Sequence, residues 1–201
     1  MSGRPVSGKA RWASQGEADA VRALEAGGLV VFPTDTVYGI GVAVRYADSP
    51  AAIYAAKKRD GGKPVAWLVA GVDALSEFGL DVPESAIDLA RRHWPGALTI
   101  IVKASAAVPR SFQSAQGTIG LRMPANETAL SLVRAVGPIA TSSANVSGET
   151  DSGTFDGLDR DLLESASVAI EGNEMPSGVA STVVDCSEGE LVVLRRGDVE
   201  V

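Results

Sequence analysis

The chain is short of the residues on which much enzyme chemistry depends, with one cysteine and one histidine in 201 residues. A single thiol, Cys186, excludes an internal disulfide and any cysteine-clustered zinc site. Its neighbours Val183, Val184 and Asp185 predict a strand that buries it as an inert group. His93 stands among Arg91, Arg92 and Trp94, just before Pro95-Gly96, where a cation at the end of an amphipathic helix accounts for it. A triad hydrolase would need this histidine as its base, and no nucleophile partner is visible. No apolar stretch approaches the roughly 20 residues that span a bilayer. Residues 1–15 are polar and lack a charge-flanked apolar run, so the reading is no leader, no membrane partner and a cytoplasmic location. Aromatics are scarce at 5%, which leaves few platforms on which bases could stack. Cations are outnumbered, and a net charge of −7 disfavours a broad polyanion-binding face.

What the chain does have is apolar substance: 45% hydrophobic residues are enough for one large core, and the reading is a single domain over 1–201. Ser14-Gln15-Gly16-Glu17 has capping-box spacing, and Ala18, Val21 and Leu24 follow at helical intervals up to Gly27-Gly28. Residues 29–32 read as a buried strand. Ser49-Pro50 opens a helix over 51–59, with Ser as its cap and Pro at its first position, which puts Lys57 and Arg59 on the last turn. A strand follows at 65–70 and a helix at 83–94, with Ile87, Leu89 and Ala90 turned inward. Strands at 98–103 and 118–122 come next, then a helix at 126–136 and short strands at 168–170, 181–185 and 191–194. Residues 147–157, rich in Gly, Ser, Thr and Asp, are expected to be mobile. The irregular alternation of helices and strands predicts an α/β fold: a mixed twisted sheet with flanking helices around a concave basic cleft.

The cations are few but placed in separate clusters. Lys57, Lys58, Arg59 and Lys63 come together, Arg122 lies in a segment of its own, and Arg195-Arg196 come near the end. Brought together in space, such points make a local anion site on an acidic protein, which suits a nucleotide. Lys57 and Arg59 can be read as a helix end that complements the dipole, or as an ammonium and a guanidinium holding different oxygens of one polyphosphate. Ser142-Ser143-Ala144-Asn145 can be a turn satisfied by its own side chains, or a set of neutral groups for ligand oxygens. In Thr118-Ile119-Gly120-Leu121-Arg122, positions four apart share a strand face, so Thr118 and Arg122 look the same way.

Several short segments, in order, resemble the threonylcarbamoyl-AMP synthase family, the YrdC-like fold, over residues 28–197. They are Pro33-Thr34-Asp35-Thr36-Val37-Tyr38-Gly39, the K-x-R element at Lys57 and Arg59, Pro95-Gly96-Ala97-Leu98-Thr99, the strand 118–122, the S-x-N element at Ser143 and Asn145, Ser181-Thr182-Val183 and Leu194-Arg195-Arg196-Gly197. Asp60 departs from the proline usual after K-x-R, and Glu149-Thr150-Asp151 from the usual basic-Pro-Ser run. The chain resembles the short, single-domain form of the family.

The resemblance implies synthesis of L-threonylcarbamoyl-AMP from L-threonine, bicarbonate and ATP, with release of pyrophosphate, for N6-threonylcarbamoyladenosine formation in tRNA. It implies Lys57 and Arg59 as catalytic cations, and Lys57, Arg59, Lys63, Thr118, Ser143, Asn145 and Arg195 around ATP. Thr34, Arg122, Ser142 and Ser181 are implied for threonine, with Pro95 to Thr99 mainly architectural. Mg²⁺ is expected with ATP and not on protein side chains. The implied partners are a downstream threonylcarbamoyl-transferring machinery and, weakly, tRNA. The alternative is a non-catalytic RNA- or nucleotide-binding module using the same cleft, which the acidic charge and scarce aromatics disfavour.

Overall fold

The computed structural model describes residues 16–58, 64–145 and 153–201. Within them the chain runs α1 (Glu17–Glu25), β1 (Val30–Phe32), β2 (Gly39–Ala43), α2 (Ala51–Ala56), β3 (Ala66–Leu68), α3 (Ala74–Phe78), α4 (Glu84–His93), β4 (Leu98–Lys103), β5 (Thr118–Arg122), α5 (Glu127–Val136), β6 (Ile139–Ser143), α6 (Arg160–Ser165), β7 (Val168–Ala169), β8 (Thr182–Asp185) and β9 (Val192–Arg195). The strands form one sheet in the order β7-β1-β2-β6-β3-β5-β4-β8-β9. It is mixed: β1–β7, β3–β5 and β4–β8 pair parallel, the other neighbours antiparallel.

Alternation along the strands assigns the two faces of the sheet. Val31, Ile40, Val42, Trp67, Ile100, Ile119, Leu121 and Val184 belong to the larger apolar cluster, which α2, α3, α4 and α6 complete through Ile53, Leu75, Phe78, Leu89 and Leu162. Trp67 is its centre, with Phe78 and Phe112 edge-on at 5.2 and 5.8 Å. The opposite face carries a smaller cluster, where Val30, Phe32, Ala43, Leu68 and Ile139 meet Leu24 of α1 and Leu132, Val133 and Val136 of α5. Only part of that second face is apolar. Register puts Gly39 beside Ser143, and Thr141, Ala66, Gly120 and Ile101 in a row across four strands.

Several expectations are corrected here. Helix α1 starts at Glu17, with Gly16 as its N-cap and the Gly16 N–H donating to Asp19, so the capping role lies two residues past Ser14, which is outside the described residues. Helix α2 ends at Ala56, where Lys57 caps it and Lys58 takes a positive φ of 49°, so Lys57 is a capping residue and not part of the last turn. Arg59 and Lys63 lie outside the described residues, as does most of the 147–157 segment. Ile87 is half-buried, and Ala86 takes its place inside beside Leu89 and Ala90. Strand β2 is absent from the sequence-based expectation, because two glycines among apolar residues read as a turn. Both lie against the neighbouring strand or Phe32: a Cβ on Gly41 would come within 2.6 Å of the Ala140 carbonyl. Helices α3 and α6, at five and six residues, are too short to show a period.

Candidate functional site

Where α1 and α5 leave the second sheet face uncovered, a cleft of about 460 Å³ opens, within the usual range for a small-molecule site. Its floor is Ala66, Thr99, Ile101, Thr118, Gly120, Arg122, Thr141, Ser143 and Val183, with the β1–β2 loop, Ser181, Leu194 and Arg195 around it. Strand alternation explains this set. Thr118, Gly120 and Arg122 face the cleft while Ile119 and Leu121 face the core, and Thr99 and Ile101 alternate in the same way with Leu98 and Ile100.

Arg122 lines the cleft from the last position of β5 and is 7% exposed. Its Nε donates to the Gly96 carbonyl at 3.0 Å, one Nη to the Thr36 hydroxyl at 2.8 Å and the other to Asp35 Oδ1 at 2.6 Å. Asp35 Oδ1 also accepts the Ala125 N–H at 3.1 Å. Burial pulls the Arg122 pKa below the usual arginine value, the Asp35 charge and hydrogen bond pull it back up, and Arg195 lowers it further.

The Thr34 hydroxyl donates to the Val37 carbonyl at 2.6 Å and accepts the N–H groups of Thr36 and Val37. With its single proton committed there, it accepts from the Thr36 hydroxyl, 3.0 Å away. Thr34 therefore borders the cleft while its oxygen closes the β1–β2 loop. The segment before β8 hangs on the same loop, with Ser177 and Gly178 N–H donating to the carbonyls of Asp35 and Thr36. Gly172 N–H donates to the Tyr38 hydroxyl, whose pKa burial raises.

At the opposite rim the Lys57 side chain is drawn inward, leaving the residue 2% exposed. Its Nζ donates to the Ser143 carbonyl, the Asn145 carbonyl at 2.6 Å and Asn145 Oδ1 at 2.8 Å. Asn145 Oδ1 also accepts from the Ser143 hydroxyl at 2.6 Å. The Lys57 and Ser143/Asn145 elements, far apart in sequence, thus form one unit. Lys58, by contrast, reaches an exposed ion pair with Asp161 at 3.0 Å.

Arg195, on the edge strand, donates through Nε to the Ser181 carbonyl at 2.9 Å and through Nη to the Ser181 hydroxyl at 3.1 Å. That hydroxyl also meets Thr99 Oγ1 at 2.9 Å. Thr118 pairs with the Ser114 hydroxyl at 2.7 Å.

The structure thus gathers Thr34, Thr118, Arg122, Ser142, Ser143, Ser181 and Arg195 around one cleft, with Lys57 and Asn145 bonded to its rim. Register sets Ser142 opposite Ile40, on the face of the larger cluster, so it borders the cleft only from the end of β6. Three participants escape the reading of the sequence. Asp35 and Thr36 hold Arg122, and Thr99, read as architectural, bonds Ser181; a lone hydroxyl inside the apolar run of β4 is the signal for it. His93 ends α4 half-buried, and Cys186 is buried just past β8 with its pKa raised by burial.

The Sua5/YciO/YrdC family, described as "Telomere recombination", matches residues 22–197. The chain belongs to this family. A Mycobacterium leprae protein provisionally named threonylcarbamoyl-AMP synthase is 39% identical over 188 residues, 94% of this chain and 86% of its own. The Pyrococcus abyssi threonylcarbamoyl-AMP synthase is 38% identical, over 85% of this chain and 51% of its own, so this chain spans about half of that relative. Among solved structures, P. abyssi Sua5 complexed with L-threonine superimposes with a TM-score of 0.82 at 35% identity, covering 90% of this chain and 54% of that one. E. coli YciO gives 0.83 at 26% identity, covering 92% and 90%. These neighbours share the mixed α/β sheet with flanking helices. Among the described residues, no helix is long and apolar enough to cross a membrane.

Proposed function

We propose that this family member is an enzyme, a nucleotidyltransferase that condenses L-threonine, bicarbonate and ATP to L-threonylcarbamoyl-AMP and pyrophosphate, for threonylcarbamoyladenosine formation in tRNA. The observation that carries the reading is the gathering of Arg122, Arg195 and Ser181 on one cleft, with the Lys57–Asn145 unit bonded to Ser143 at its rim. The names of the relatives, and the L-threonine with which P. abyssi Sua5 is complexed, support the choice of substrates.

The chemistry fits such a site. The threonine nitrogen attacks the bicarbonate carbon and water leaves, giving a carbamate. A carbamate oxygen then attacks the α-phosphorus of ATP, and pyrophosphate departs with the electron pair of the broken P–O bond. Every reactant except the amine is an anion, so the work of the protein is to gather and orient charge in a place poor in water. Arg122 takes the threonine carboxylate, with Ser181 and the β1–β2 loop beside it. Arg195, Thr118 and the Lys57–Ser143–Asn145 rim face the nucleotide, and Arg59 and Lys63 are assigned to the phosphates. In this reading Mg²⁺ belongs to the substrate, carried on the triphosphate, where it would offset charge on the departing pyrophosphate.

The test is pyrophosphate release by the purified protein with each reactant withheld in turn. Release is expected only when ATP, Mg²⁺, L-threonine and bicarbonate are all present. RNA binding that weakens steeply with salt, without pyrophosphate under any amino acid, would instead establish the binding module.

A further inference from the structure

The two guanidiniums of the cleft are held by different kinds of partner. Arg122 pairs with Asp35 at 2.6 Å, and both side chains are mostly buried, 8% and 16% exposed. The ion pairs Lys58–Asp161 and Arg91–Glu84, by contrast, lie on the surface. Arg195 donates only to neutral oxygens of Ser181, and among the described residues no carboxylate pairs with it. Asp35 is also fixed independently of Arg122, because its Oδ1 takes the Ala125 N–H and its carbonyl takes the Ser177 N–H. The cleft therefore holds one charge-balanced guanidinium, Arg122, and one, Arg195, that no described carboxylate balances. A single carboxylate can use the directed N–H groups of a balanced guanidinium, whereas a triphosphate is drawn to excess positive charge.

We propose that Asp35 is a specificity-determining positioning residue. It fixes the Arg122 guanidinium and cancels its excess charge, so that Arg122 accepts the amino-acid carboxylate and leaves the triphosphate to Arg195. The proposal rests on the reading of the cleft as a site for threonine and ATP. It goes further by giving the physical reason why two anionic substrates sort between two arginines.

Asp35→Asn isolates the charge, since the amide oxygen can still accept from Arg122 and from Ala125 N–H. The readout is calorimetric titration of L-threonine with and without inorganic tripolyphosphate. In the unaltered protein, tripolyphosphate should leave the threonine Kd within about twofold; in Asp35→Asn it should raise that Kd at least about tenfold, because the uncompensated guanidinium now retains the polyanion. Asp35→Glu, which restores the charge, should again be insensitive to tripolyphosphate. Competition in the unaltered protein, or no competition in Asp35→Asn, overturns the proposal. Should Asp35→Asn fail to fold by circular dichroism, the other two proteins decide: competition in either overturns it, insensitivity in both supports it. These titrations need no turnover. Failure of pyrophosphate release with the titrations as expected would refute the activity and uphold the sorting of anions by Asp35.

Discussion

On the cleft side of the sheet, Phe32, Leu68 and Ile139 lie beneath α1 and α5, whereas Thr99, Thr118, Gly120 and Ser143 on neighbouring strands face a cavity. Both halves belong to one continuous surface, and both alternate with the same apolar core behind them. What differs is side-chain size and polarity. Large apolar groups gain roughly 25 cal/mol for each Å² hidden from water, so they recruit the helices that carry Leu24, Leu132 and Val136. Hydroxyls and glycine offer little area and keep polar atoms that must be paired, so that half remains available to a ligand. The candidate site occupies the part of the sheet that packing did not claim.

The sharpest way to break this contrast is at the rim of the open half. Lys57→Ala removes an ammonium that binds three oxygens of Ser143 and Asn145, and the loss of one such charged contact in a water-poor site should cut pyrophosphate release by at least about a hundredfold. Lys58→Ala, next in the chain, removes a side chain that is 64% exposed and whose ion pair with Asp161 is worth at most about 1 kcal/mol, and should leave turnover nearly unchanged. Equal effects at the two positions would return Lys57 to the rank of a helix cap.

The halves differ in how far they can be read from sequence. Strands 98–103 and 118–122 are legible to the residue, the first as an apolar run and the second as an alternation that also fixes side-chain direction, so that Thr118 and Arg122 fall on one face as spacing requires. The pairing of Lys57 with Asn145, 88 positions away, is tertiary, and a local pattern carries no trace of it. Asp35 is visible inside its motif, yet its partner Arg122 lies 87 residues on, so nothing nearby marks it as half of an ion pair. Strand β2 is hidden for a different reason. Its glycines serve close approach to Phe32 and to β6, but in sequence they look the same as turn glycines.

A paired experiment sharpens the comparison. Gly120 stands at the centre of the open floor, and a Cβ there would meet Thr99 at 3.3 Å, Ile101 at 3.6 Å and Ala66 at 3.7 Å, contacts a small shift accommodates. Gly120→Val should therefore fold, suit a strand, and still project methyls into the cleft, weakening threonine or ATP binding by about tenfold or more as the volume is taken. Leu132→Ala, under the covered half and fully buried, should do the reverse. It should cost about 2–5 kcal/mol of stability in denaturant unfolding and leave both Kd values unchanged. If Gly120→Val binds normally, the ligand does not lie on this floor.

Among the residues that line the cleft, the smallest effect is expected where the family resemblance implies a direct ligand contact. Thr34 borders the cleft, but its hydroxyl donates to the Val37 carbonyl and accepts the N–H groups of Thr36 and Val37, with the Thr36 hydroxyl linking it to Arg122. Thr34→Val keeps the shape and removes every one of these bonds, leaving buried backbone groups without their partner at a cost of about 1–3 kcal/mol in stability. The loop it closes carries Asp35 and Thr36, which hold Arg122, and it also anchors residues 177 and 178 ahead of Ser181. Loosening it disturbs the surroundings of Arg122 and of Arg195 together, because Ser181 is the group to which Arg195 donates. Calorimetric titration of Thr34→Val should therefore show threonine and ATP weakened by similar, modest factors, each below about tenfold, alongside a lowered unfolding midpoint. A loss confined to threonine, with the unfolding midpoint unchanged, would instead make the Thr34 hydroxyl a direct ligand of the amino acid, and the loop-closing bonds seen in the free protein would have to open when it binds.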